Sequence, residues 1–124
     1  IIDGHGTAHP RKLGVASWVG IKTKIPSIGI AKDTLLKFDY KSNLAEAENS
    51  SLPVHLDGET VGYALRTQES IKAVFVSAGH LISQNQALDV VKRIKGEYRI
   101  PEPIRRADQK ARLAAKAEIE LSLI

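Results

Sequence analysis

The sequence has no cysteine, no methionine, one tryptophan and only 5% aromatic residues. Without cysteine it can build no disulfide scaffold, no zinc–thiolate site, no iron–sulfur cluster and no thiol nucleophile. That fits a reducing compartment, and the expected location is cytoplasmic. No apolar run approaches the roughly 20 residues a membrane-spanning helix needs, and no secretory signal heads the chain. There is no Gly-rich phosphate loop of the Walker or Rossmann type. There is also no Gly-x-Ser-x-Gly elbow, so Ser77 and His80 do not suggest a serine hydrolase. The missing methionine accompanies an abrupt opening, Ile1-Ile2-Asp3-Gly4, which reads as the end of a strand already under way. The expectation is the C-terminal part of a longer protein, over a chain trimmed of its initiator.

What remains is 124 residues with 43% hydrophobic and 26% charged side chains. That is globular composition, and residues 1–124 are expected to form one domain, burying roughly two thirds of the unfolded surface. The net charge of +4 is unevenly spread. Residues 1–32 carry five basic groups and one acid, residues 33–91 four basic and eight acidic, and residues 92–124 nine basic and five acidic. Two basic ends bracket an acidic middle. If the ends converge they attract phosphate; otherwise they merely solvate helix faces.

The pattern predicts a strand ending at Ile1-Ile2, a loop through Gly4, Gly6 and His9-Pro10, and a helix over Arg11–Lys24. Pro26 ends that helix. Ser27–Ala31 reads as a buried strand, which makes a right-handed parallel crossover. Asp39–Pro53 is polar and reads as a loop. Val54–Thr67 holds an Asp57-Gly58 turn between extended runs. Ala73–Ser77 reads as another strand, with Ala78-Gly79-His80 turning the chain. Ser83 and Gln86 form a capping-box pattern before a helix whose apolar face is Ala87, Leu88, Val91 and Ile94, with Gly96 as its stop. A last helix is expected over Ile104–Glu120, with Pro103 in its first turn. Asp108 shares a face there with Ile104, Ala111 and Ala115. A carboxylate on a buried stripe needs a metal ion or a basic partner; one at the stripe's margin would reach water or Arg112.

The chemistry-bearing residues cluster near the start. Asp3 stands at a strand end, where ligands bind in α/β proteins. Gly4 and Gly6 let a phosphate or base approach the backbone. His5 and His9 lie four apart in a loop, without the third ligand that a zinc site needs. His9-Pro10-Arg11-Lys12 is a basic cluster at a helix start. Lys32 follows its apolar strand directly, at the same sheet edge as Asp3.

Residues 3–17, D-G-H-G-T-A-H-P-R-K-L-G-V-A-S, resemble the central motif of endonuclease V. The resemblance continues in Ile25–Lys32, Gly62–Thr67, Val76–His80 and Tyr98–Asp108, in order and with matching spacing. It implies an RNase H-like mixed sheet flanked by helices, the C-terminal part of that fold. It also implies a Mg²⁺-dependent nuclease, with Mn²⁺ as substitute, that nicks DNA or RNA at the second phosphodiester bond 3′ to inosine. Asp3 matches the family's metal-binding, catalytic aspartate. Lys32 matches the lysine near the scissile phosphate, and His9 a histidine near the nucleic acid. Asp108 matches the metal-proximal position of the last helix. Arg11 joins His9 on the basic loop; Gly4, Gly6 and Val15 are candidates for the wall of a pocket for an extruded base.

The sequence departs from the family in lacking its N-terminal half, which contributes an Asp, a Glu and a Tyr-bearing wedge. Trp18 stands where many members carry His. The partners expected are inosine-containing DNA or RNA, a missing half or a second copy, and no membrane. The alternative is a non-catalytic nucleic-acid-binding module on the same scaffold.

Overall fold

The computed structural model describes residues 1–122. Its elements run β1 (Ile2–Asp3), α1 (Val15–Thr23), β2 (Ser27–Ala31), β3 (Ser51–Leu56), β4 (Glu59–Leu65), β5 (Val74–His80), α2 (Gln84–Ile94) and α3 (Glu102–Ser122). The strands form one mixed sheet in the order β1-β2-β5-β4-β3. β1 and β2 are parallel, joined through α1 as the sequence predicts, and the other pairs are antiparallel.

Period-two alternation sorts side chains onto two faces. Ile28, Ile30, Val74 and Val76 point to one face, where they meet Ala87, Leu88 and Val91 of α2 and Ile104 of α3. Ala31, Ala73 and Phe75 point to the other, with Ala8, Tyr40 and Leu44 from the connecting segments. The α2 cap forms as read: the Ser83 hydroxyl accepts from the Gln86 amide and the Gln86 side chain accepts from the Ser83 amide, each at 3.1 Å.

Four expectations are corrected. The first helix begins at Val15, not Arg11: Lys12 takes a left-handed φ of 56° and Gly14 is extended, which keeps residues 11–14 out of the helix. β3 begins at Ser51, inside the expected loop, and includes Pro53; an edge strand tolerates proline. β5 continues through Ala78-Gly79-His80 because Ala78 and His80 pair with Ile28 and Ser27. The last helix starts two residues earlier than expected, at Glu102, and its buried stripe is absent: Ile104 is buried, but Ala111 and Ala115 are exposed.

The loop after β1 lies on the sheet backbone to backbone. A Cβ on Gly29 would stand 2.5 Å from the Gly4 carbonyl oxygen and 2.6 Å from the Gly6 amide nitrogen. A Cβ on Gly6 would strike the Ala78 carbonyl, and one on Gly14 the His5 carbonyl. Gly29→Ala is therefore expected to cost about 1–3 kcal/mol or more, the range for overpacking. Gly58, with φ of 78° and open space around it, should accept Asn within about 0.5 kcal/mol. Urea unfolding midpoints of the two variants check the contrast.

Candidate active site

The glycine loop is fastened by its own polar groups. The Gly4 amide donates to the Ile30 carbonyl (2.9 Å), the Gly6 amide to the Ser77 hydroxyl (2.8 Å) and the Thr7 amide to the Ala78 carbonyl (2.9 Å). The His5 and Gly6 carbonyls accept from Ala16 and Gly14 at the head of α1. Gln84 closes the set: its carbonyl oxygen accepts from Ala78 and its amide nitrogen donates to the Thr7 hydroxyl (2.7 Å). Gly6 is thus buried with its amide and carbonyl committed, and little of it is left to face a base. Gly4 is half-buried and Val15 is exposed beside it.

The loop places Asp3 at the end of β1, in register with Ile30 and exposed. Lys32 follows β2 at the same end of the sheet and is also exposed. Its strand end is tied down by Arg99, whose Nη2 donates to the Lys32 carbonyl (2.5 Å) and the Ala73 carbonyl (2.9 Å), while Nε donates to the Lys72 carbonyl (3.0 Å). Thr67 in turn donates to the Arg99 carbonyl at 2.7 Å. Beside Lys32, Asp33 pairs with Lys72 at 2.6 Å. The Lys72 hydrogen bond and charge hold the Asp33 carboxyl below its usual range.

His5 is buried, and its Nδ1 has no hydrogen-bond partner among the described residues. Burial pushes its pKa below the usual histidine value; the nearby Asp33 backbone opposes this, and His9 adds to the lowering. The ring therefore favours its neutral form and sits near the end of β2. His9 and Arg11 travel the other way. Thr7 bonds the Val61 carbonyl of β4, and Lys12 reaches Asp57 and Glu59 at the β3–β4 turn, at 3.7 and 3.3 Å. The His9 Nδ1 accepts from the Arg11 amide (3.0 Å).

Asp108 sits in the second turn of α3, whose entry is held at the Lys32 end by Arg99. Its carboxylate is bound to Arg112 at 3.0 Å, the ion pair expected of a residue at the stripe's margin. Among the described residues no group of three or more His, Cys, Asp or Glu side chains could hold a metal ion. An exposed Asp3 and an arginine-bound Asp108 do not by themselves make a Mg²⁺ site, which wants a near-octahedral set of oxygens.

The endonuclease V family model matches residues 1–109. The chain belongs to the endonuclease V family. It is 44% identical over 120 residues to the endonuclease V of Dictyoglomus turgidum, an alignment covering 97% of this chain and 52% of that protein. The crystal structure of Streptomyces avermitilis endonuclease V superposes with a TM-score of 0.84 at 41% identity, covering 94% of this chain and 50% of the other. That of Ciona intestinalis endonuclease V, in complex with a 24mer DNA containing an inosine followed by a ribo-adenosine, has a TM-score of 0.79 at 28% identity, over 93% of this chain and 53% of the other. The fold is thus the RNase H-like fold of that family. The chain spans about half the length of the curated relatives it matches.

Within this family member, sequence reasoning missed Arg99, Ser77 and Gln84. Arg99 and Ser77 bind main-chain groups distant in sequence, and Gln84 reaches the distant Thr7 hydroxyl, so nothing local marks them. Arg99→Ala is expected to cost about 1–3 kcal/mol, because it releases a charged donor from three carbonyls. Asp108→Asn should move stability by less than about 0.5 kcal/mol, because its ion pair is exposed. Chemical denaturation of both variants checks the difference.

Proposed function

We propose that this chain carries part of the active site of an inosine-directed nuclease of nucleic-acid repair or processing. In this reading it cuts DNA or RNA at the second phosphodiester bond 3′ to inosine. The observation that carries the reading is the placement of Asp3 and Lys32 at the same end of two adjacent parallel strands, with Asp3 followed by the Gly4–Ile30 backbone bond and Lys32 held at its carbonyl by the Arg99 side chain. A lysine whose backbone is anchored at the same sheet end as an aspartate can bring its ammonium to counter charge developing on a scissile phosphate there. His9, Arg11, Gly4, Gly6 and Val15 are the proposed nucleic-acid contacts, with Gly6 shaping the loop rather than bonding the base. The inosine-containing DNA bound to the Ciona relative supports the substrate class. A cytoplasmic location is part of this proposal. Among the described residues no helix is long and apolar enough to cross a membrane.

Mg²⁺, with Mn²⁺ as substitute, is the proposed cofactor of the completed site. Asp3 and Asp108 are the ligands this chain offers, and the rest of the donor set would come from outside the described residues. Metal-assisted hydrolysis supplies charge neutralisation and an activated water. Two features suit a further segment or a second copy: β1 is an edge strand of two residues, and Val15, Trp18 and Ile21 of α1 are about half exposed. The alternative, a non-catalytic binding module, draws on the same incomplete carboxylate set.

The isolated chain is expected to bind inosine-containing strands weakly, less so as salt rises, and to leave them uncut with or without Mg²⁺. A nicking assay beside a binding titration checks both halves. Robust Mg²⁺-dependent cleavage by the purified chain, abolished in Asp3→Ala, would show that the site is complete in this chain or across its dimer.

A further inference from the structure

A cavity of about 530 Å³ opens beside the candidate active site, lined by Tyr40, Lys41, Glu46, Arg66, Ser70 and Lys72. Three of these six are cations. Arg66 directly follows β4 and Lys72 shortly precedes β5, so the cavity lies at the sheet end that also carries Asp3 and Lys32. The Asp33–Lys72 pair joins it to the Lys32 segment.

The cavity is built rather than incidental. The Arg66 side chain is 6% exposed. Its Nε donates to the Ala45 carbonyl (2.8 Å) and its Nη1 to the Ile71 carbonyl (2.6 Å), bonds that leave Nη2 uncommitted. Glu46 stands 3.8 Å away and is largely exposed, so it offsets the buried guanidinium only in part. Ser70 is held at a φ of 57°, and its amide donates to the Glu46 carbonyl. Tyr40 is a buried member of the lining, with its ring edge-on to Phe75 at 5.7 Å. A buried guanidinium beside the Lys41 and Lys72 ammonium groups, the latter in an exposed pair with Asp33, suits a phosphate.

We infer that this cavity binds a backbone phosphate of the nucleic-acid strand, several nucleotides from the bond at Asp3. The inference rests on the nuclease reading above. From β1 to β4 are three strand spacings of about 4.8 Å, hence about 14 Å. A stacked strand advances about 3.4 Å per nucleotide, which puts the cavity about four nucleotides along. Phosphate contacts of this kind position a strand without reading its sequence. The subsite should therefore act equally on strands with and without inosine.

The test is fluorescence anisotropy on the whole chain, wild type against Lys41→Gln/Lys72→Gln. The probes are single strands of about four and about twelve nucleotides, each with and without a central inosine. Losing this one phosphate contact should flatten the log–log salt dependence by about 0.7 and weaken the long strands about fivefold at 0.1 M salt. The short strands should be barely affected. Lys41→Arg/Lys72→Arg should restore the loss, and circular dichroism checks that both variants fold. Equal losses on short and long strands, or none on either, would overturn the subsite. So would displacement of the short strands by inorganic phosphate in the wild type but not in the Gln variant, which would mark the cavity as a site for free phosphate. Inosine preference with an unchanged salt slope defeats the subsite alone. A changed slope without inosine preference defeats the nuclease reading and leaves the subsite standing.

Discussion

Everything at the candidate site depends on backbone packed directly against backbone. The segment Gly4–Thr7 crosses β2 and β5 in backbone contact, with the small Ser77 hydroxyl reaching the Gly6 amide, and Gly29 and Gly6 are glycine because neighbouring backbone occupies their Cβ positions. Gly79 and Gly20 repeat the device one step along. A Cβ on either would strike the Ser27 hydroxyl, which itself donates to the Ala16 carbonyl at 2.7 Å. Close approach lets the loop's amides reach Ile30, Ser77 and Ala78 directly, so a segment without regular structure is as tightly hydrogen-bonded as a strand. Asp3 inherits that rigidity. Placement to a fraction of an ångström is what positioning chemistry requires.

The same close packing explains α1. A helix lying on glycines and serines turns a face of Ala16, Ser17 and Gly20 inward. Its larger apolar residues then have nowhere to go but outward, where Trp18 is 55% exposed and stacks with Lys22 at 5.6 Å. Residue size, not polarity, decides which side of this helix meets the sheet. That leaves an apolar stripe beside a two-residue edge strand, in a chain about half the length of its relatives. Stripe and edge strand together have the character of an interface face.

The sequence made local features legible and hid the long-range ones. The Ser83–Gln86 capping box, the Asp57-Gly58 turn, the parallel crossover and the strand at Ser27–Ala31 each follow from a few adjacent residues, and each is found. Helix onset at Val15 was hidden because Lys12 and Gly14 take their conformations from contacts with Gly6, His9 and His5, not from local propensity. β5 runs past Ala78-Gly79 because β2 pairs with it, and a glycine that reads as a turn is there to admit Ser27. Asp108 shows the limit of periodicity. Its spacing with Ile104, Ala111 and Ala115 is real, but a helical stripe is buried only where something covers it, and here coverage stops after Ile104. Asp3 and Lys32 were legible together because a strand end and a parallel crossover fix their edge without any need for contacts.

Charge follows the same division between local pattern and tertiary outcome. The acidic middle does not stay a separate patch. Asp57 and Glu59 meet Lys12, Glu48 meets Lys95, Asp33 meets Lys72 and Glu46 meets Arg66. Most of the middle's acids are thus spent on basic groups, two of which, Lys12 and Lys95, come from the chain's two ends. Lys32 is in none of the ion pairs found among the described residues, and it stands where the strand ends meet. Exposed pairs such as Asp33–Lys72 are worth about 0–1 kcal/mol, so a polyanion arriving at this edge can displace the carboxylate at little cost. An edge with one uncommitted lysine and others held in weak pairs is neutral enough to fold without repulsion and basic enough to take a phosphate when one arrives. The locked loop then fixes where along the strand Asp3 must fall.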